Sequence, residues 1–465
     1  MSDAPELPEL QDQPEADESG VDLGVLANII AALGDGDGRL ITSIVGALHP
    51  ADASDILEQL SPEQFEAALK LAPQAFSAEL LSELTDDYRE EAVAALPVPQ
   101  LAQAVAELES DDATLILEDL EEDRLADVLA AVPDRDREAV VESLSHEEET
   151  AGRLMQREFV AAPEHWTVGD AIDHLRAASE DDLPGLFFEI YVVDPKYQPV
   201  GAVPLSTLMR TRREVALRDI MAEIKALVTP ELDREDVAYL FQKYHLAQAP
   251  AIDEAGRLKG MLTVDDIVDV IHEEGKEDLL ALAGVSETSL AQNVRDQVRT
   301  RTPWLIINLC TAIGASLVIS IFSSTIEAIV ALAILMPIVS ALGGSAGAQT
   351  VAVIVSSIAS RDLTSANTRR VILREAGSAA LIGLVFAVLL GVIAVVWFQM
   401  AALGLVIAIA MALTMLWGGL SGVLVPLTLR KLGADPVVAS SVFVTATTDM
   451  VGFFIFLGLA SWILL

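Results

Sequence analysis

Cysteine is almost absent from this chain. Cys310 is the only one in 465 residues and lies in an apolar run, so neither a disulfide framework nor a thiolate metal site is available. Histidine stops at His272, which leaves the apolar last third without the commonest general base. No G-x-x-x-x-G-K-[ST] phosphate loop occurs, so nucleotide-driven pumping has no engine. Gly343-Gly344-Ser345-Ala346-Gly347 fits the letters G-x-S-x-G, but a hydrolase elbow needs a preceding strand and His and acid partners. A membrane hydrolase acting through Ser345 is rejected, and the chain is read as no enzyme. The first 20 residues also lack an apolar core. Their seven acids and three prolines read as a disordered acidic tail rather than a cleavable leader, with the amino terminus expected to stay in the cytoplasm.

Positive charge is the next scarcity. Of 29 Lys and Arg and 70 Asp and Glu, only six and five lie beyond residue 302, leaving 23 basic against 65 acidic groups before it. A region so acidic repels nucleic acid and anionic headgroups and attracts cations.

Hydrophobicity is concentrated in residues 303–465, which read as five membrane spans of about 20 or more apolar residues each. They are expected near 303–323, 326–358, 376–399, 402–429 and 437–463. The second is read as interrupted by Pro337 and the Gly343–Gly347 run; small residues there and Gly418, Gly419 and Gly422 allow close helix approach. Arg361, Arg369, Arg370 and Arg374, with Arg430 and Lys431, mark two loops as cytoplasmic. Five crossings from a cytoplasmic amino terminus place the carboxyl terminus outside.

Asp449 lies inside the last of these runs with no basic residue at comparable depth. An Asp at the centre of a membrane helix costs about 2.5–3.5 kcal/mol on insertion scales, so it faces a cavity, a partner or water and is usually functional. Ser441, Thr445 and Asp449 fall at four-residue steps on one helical face, a stripe suited to lining a pore. Ser440 and Thr448 can instead bond back to the preceding turn. Magnesium sheds water reluctantly and meets only one or two carboxylates, which suits one Asp per subunit.

Before the membrane part, residues 21–148 repeat a helical phrase: Leu57-Glu58-Gln59-Leu60, Leu81-Ser82-Glu83-Leu84 and Leu117-Glu118-Asp119-Leu120. Ser61-Pro62-Glu63-Gln64 fits a helix start with a capping box. From residue 149 to 275 an internal duplication appears. Tyr191–Asp194 and Pro250–Asp253 read as short strands, Asp194 precedes Gly201 as Asp253 precedes Gly260, and the copies are offset by 59 residues. Strand, glycine turn, strand and helix at that period resemble paired cystathionine-beta-synthase (CBS) domains, which are ligand-sensing modules. In such modules Gly260-x-x-Thr263-x-x-Asp266 can hold an adenosyl ribose; the first copy has Pro204 and Thr207 instead, so only one half has room for a nucleotide such as ATP. Asp266, Asp269, Glu273 or Glu274, and Glu277 share one helical face, either as a solvated acidic face or as acids that a divalent ion would relieve of repulsion.

In this order of parts the chain resembles the MgtE family of magnesium transporters. The resemblance is carried by Leu48-His49-Pro50-Ala51-Asp52, Thr150 through Met155, Gly260 through Asp266, Glu277-Asp278, Pro337 with Gly343-Gly344 and Gly347-x-Gln349, and Asp435-Pro436 through Asp449. It implies a multi-domain protein: an all-α helical-repeat domain (21–148), α/β tandem CBS domains (149–214 and 215–275), a connecting helix (276–302) and a five-helix transmembrane domain (303–465). It further implies a homodimeric magnesium channel in the cell membrane, gated by cytosolic magnesium, with its pore near the dimer axis between the second and fifth spans. Asp449, Thr445 and Ser441 match the pore positions. Asp266, Asp269, Glu274, Glu277 and Asp278, joined by Asp111 and Asp112, match acids that bind regulatory magnesium. The chain departs from the family at Ser345, at Ser441-Val442 and at Leu115, where Asn, a proline-containing pair and an acid are usual. The alternatives are a channel for cobalt or manganese and a nucleotide-sensing CBS protein that conducts nothing.

Overall fold

The computed structural model describes residues 22–118, 120–178, 183–282, 294–364, 366–433 and 436–465. The chain divides into two compact units, Met1–His272 and Glu273–Leu465. The acidic tail and Asp435 lie outside the described residues.

The first unit begins with ten short helices, α1 (Leu23–Asp35) to α10 (Asp134–Leu144). Their starts are written locally. On α4 (Pro62–Leu71) the Ser61 side chain accepts from the Gln64 backbone, the Gln64 side chain caps Ser61 in return, and proline fills the first position. The repeated leucines face inward: Leu57, Leu60, Leu81, Leu84, Leu117 and Leu120 all belong to one continuous core. Phe65 is fully buried in it, edge-on to Phe76 and Tyr88.

Two small sheets follow. In the first, β1 (Ala161–Pro163) runs parallel to β2 (Glu189–Val193), which pairs antiparallel with β3 (Pro199–Pro204); in the second, β4 (Gln248–Ile252) pairs with β5 (Leu258–Thr263). The intervening helices are α11 (Val168–Ala177), α12 (Leu205–Arg210) and α13 (Arg234–Tyr244), and α14 (Val264–Leu282) follows β5. The 59-residue offset is visible in atomic detail. Asp194 accepts from the backbone of Lys196 and Gln198, each at 2.8 Å; Asp253 accepts from Ala255 at 2.9 Å and Arg257 at 2.8 Å. The register repeats as well, with Val192 opposite Gly201 and Ala251 opposite Gly260. A side chain at Gly260 would come within 2.5 Å of Met155 and the Gln156 carbonyl, so this strand needs glycine to lie so close to its neighbour.

The second unit contains α15 (Val294–Ile321), the short α16 (Ser323–Ala328), α17 (Ala331–Ala359), α18 (Thr368–Phe398), α19 (Ala401–Lys431) and α20 (Pro436–Leu464). Among the described residues five of its helices are long and apolar enough to cross a membrane. Two expectations are corrected. The second span starts at Ala331 rather than near 326, because the chain turns between α16 and α17 and leaves Glu327 on the short helix. Nor is that span interrupted: α17 is continuous through Pro337 and the glycine run. The glycines serve packing instead. A Cβ on Gly418 of α19 would lie 2.8 Å from the Gly343 carbonyl and 3.3 Å from the Gly347 nitrogen of α17, so these two backbones touch directly.

Candidate functional site

Within the second unit the polar stripe of α20 divides as its hydroxyls choose partners. Ser440 donates to the Pro436 carbonyl, and Thr448 to those of Val444 (2.9 Å) and Thr445 (2.8 Å); both are buried. Thr445 is exposed and donates to the Ser441 carbonyl at 2.9 Å, leaving its lone pairs outward. Asp449 is half-buried, and Ser340 of α17 donates to its Oδ1 at 2.5 Å. No ion pair with a basic side chain reaches Asp449 among the described residues.

Asp449 and Thr445 open onto a cleft whose other wall is α15, with Asn308 and Thr311 as its polar residues and Leu305, Leu309 and Ala312 between them. Ser441 stands one turn away, half-buried, its carbonyl taken by Thr445. Sequence reasoning missed Ser340 and Asn308. A signal for Asn308 existed, since it is a lone amide in Leu305-Ile306-Ile307-Asn308-Leu309; Ser340 gave none, being an ordinary hydroxyl in an apolar helix.

In the first unit a second set of acids converges. Asp111 and Asp112 lie on α8 (Ser110–Leu115), and Asp265, Asp266 and Asp269 lie on the first turns of α14. Burial pushes the Asp111 carboxyl well above the carboxylate range, with the charges of Asp266 and Asp112 adding to it. Asp112 is pushed up to about 6, by burial first and then by Glu109, Glu83, Asp265 and Asp269. Asp266 is pushed up to about 7 by burial and by Asp265, Asp112 and Asp269, although Thr263 Oγ1, which donates to its Oδ2 at 2.6 Å, works the other way. Asp269 is raised by burial and then by Asp265, with His272 opposing. Two groups thus depart upward far enough to titrate near neutrality, the signature of crowded like charge.

Helix α8 is tied to the first CBS-like copy. Ser110 donates to Glu158 at 2.9 Å and accepts from the Arg157 backbone at 2.7 Å, while Glu109 accepts from Gly185 at 2.6 Å. Among the described residues no three His, Cys, Asp or Glu side chains close on a single point as a bare ion would require. The donor set is all carboxylate, which suits a hard cation that keeps its water. Glu274, Glu277 and Asp278 lie on the later turns of α14, beyond the division between the two units. Leu115 ends α8 half-buried, without a carboxylate to add.

Residues 336–459 match a family described as divalent cation transporter, residues 48–149 the MgtE intracellular N domain, and residues 217–273 a CBS domain. Over 322 residues the chain is 34% identical to magnesium transporter MgtE of Thermus thermophilus, an alignment covering 69% of this chain and 71% of that one. The chain belongs to the MgtE family. Magnesium transporter MgtE of Bacillus subtilis is 31% identical over 320 residues, 68% of this chain and 70% of the relative. A solved cytosolic domain of the magnesium channel MgtE in complex with ATP is 32% identical, with a TM-score of 0.48, over 53% of this chain and 99% of that one. In this MgtE-family chain the expected fold class holds: an all-α region, a CBS-like α/β region and five long apolar helices follow one another.

Proposed function

We propose that this chain is a magnesium channel or transporter, gated by cytosolic magnesium, that passes the ion down its electrochemical gradient. The observation that carries the reading is Asp449: a carboxylate on a long apolar helix, held by Ser340 and open to a cleft of mixed polar and apolar lining, with no cationic partner among the described residues. A passing cation supplies the missing positive charge. Thr445 and Ser441 belong to the same path, Thr445 through its outward lone pairs. The protein works as a homodimer in the cell membrane, its pore near the axis, with the amino terminus inside and the carboxyl terminus outside. It passes ions rather than turning over a substrate.

Regulation belongs to the acids. Asp111, Asp112, Asp266 and Asp269 crowd together at a cost that divalent cations relieve, and Glu274, Glu277 and Asp278 extend the acidic run along α14. High internal magnesium then keeps the cytoplasmic parts together and the pore shut. The domain limits are those expected from the sequence, at 148, 214, 275 and 302. ATP is a second ligand for Thr263 and Asp266, competing for a carboxylate that Thr263 already holds.

Dye-reported uptake into vesicles, with manganese and cobalt offered in competition, tests the choice of ion. Magnesium entry that falls only with an excess of either competitor is expected. Equal entry of all three would make the chain a general divalent pathway.

A further inference from the structure

The chemistry of the Asp449 cleft points to contributions from a span that the pore reading leaves out. A hydrated cation presents water hydrogens outward, so a site that binds it without stripping its water must offer acceptors. Thr311 donates its hydrogen to the Asn308 carbonyl at 2.8 Å, just as Thr445 donates to Ser441 at 2.9 Å, and both oxygens are left as acceptors beside the cleft. Asn308 is exposed, makes no side-chain hydrogen bond to the described residues, and carries an amide oxygen. An amide left bare in an apolar span is costly unless water, a ligand or a partner meets it. Asp449 has one oxygen engaged by Ser340, which fixes the plane of the carboxylate and leaves the second oxygen for the ion.

Resting on the assignment of Asp449 as the pore acid, we propose that three spans build the ion site. Asn308 of α15 is a specificity-determining contact to the water shell of a divalent cation, and Ser340 of α17 is the positioning residue that aims Asp449. Thr311 supports Asn308 from the same helix.

The test uses the full chain in vesicles, reading both the half-saturating magnesium for uptake and inhibition by hexaamminecobalt(III), whose six ammine ligands cannot be shed. In wild type the cobalt complex competes with magnesium. Asn308→Leu removes one hydrogen bond to a charged shell and should raise both the half-saturating magnesium and the half-inhibiting complex on the order of tenfold, with Asn308→Gln closer to wild type. Ser340→Ala should raise both in the same way, while Ser340→Thr, which keeps the hydroxyl, restores them. If Asn308→Leu does not yield folded protein, Thr311→Val carries the same expectation. Failure of the cobalt complex to compete in wild type, or constants unchanged in Asn308→Leu or in its substitute, overturns the proposal. Asp449→Ala separates the two levels: normal uptake in that variant sinks the pore assignment itself, whereas lost uptake there with unchanged Asn308 variants sinks only the three-span site.

Discussion

Asp266, on the first turn of α14, lies close enough to Asp111 on α8 for its charge to raise the Asp111 carboxyl. The two helices come from separate parts of the chain, one from the helical region and one following the second CBS-like copy. Whatever neutralises this pair favours their contact, a proton on either carboxyl included.

The proton dependence has a definite sign. Asp112 and Asp266 stand at about 6 and about 7 in the packed structure against an ordinary 3.8. As pH rises from the ordinary value through these raised ones, the unpacked form has already lost protons that the packed form still binds, so packing is progressively disfavoured. Without divalent ions, the melting temperature of the full chain should fall between pH 5 and about pH 8. Adding magnesium at the upper pH should restore it, and a flat profile that ignores magnesium would contradict the crowding account.

Removing a charge should mimic the ion. Asp266→Asn keeps a partner for Thr263 but deletes one member of the crowd. In the absence of magnesium this variant should resist protease better than wild type, corresponding to roughly 1–2 kcal/mol, and its protection should depend less steeply on added magnesium. Protection curves superimposable on wild type would return the α14 acids to a plain solvated face.

Packing in the second unit makes an independent prediction. Gly418→Val forces a side chain against the backbone of Gly343 and Gly347, which cannot swing aside, and should cost about 1–3 kcal/mol or more by thermal melting in detergent. Gly377, inside α18, has open space where a Cβ would stand. Gly377→Ala should be neutral or stabilise by about 0.5–1 kcal/mol. Equal effects from the two substitutions would contradict the contact between α17 and α19.

Local chemistry made much of this legible. The Ser61–Gln64 cap, the paired leucines and the Asp194 and Asp253 turns each depend on residues within a few positions of one another, and each appears as the pattern implies. Asp449 was conspicuous for the same reason, as a lone charge in an apolar run. Ser340 was not, because its meaning comes from a neighbour more than a hundred residues away. The glycines of α17 misled in the other direction. Read as a break, they allow helices to touch, and Pro337 forfeits one backbone hydrogen bond without ending the helix.

If Asp449 meets the passing ion, its charge is indispensable to transport. The most direct test is magnesium uptake by vesicles holding the full chain or Asp449→Asn, which keeps the shape and a partner for Ser340 while removing the charge. The account predicts that the variant loses nearly all uptake while retaining the wild-type melting temperature to within a few degrees. Uptake at the wild-type rate and magnesium dependence would contradict it.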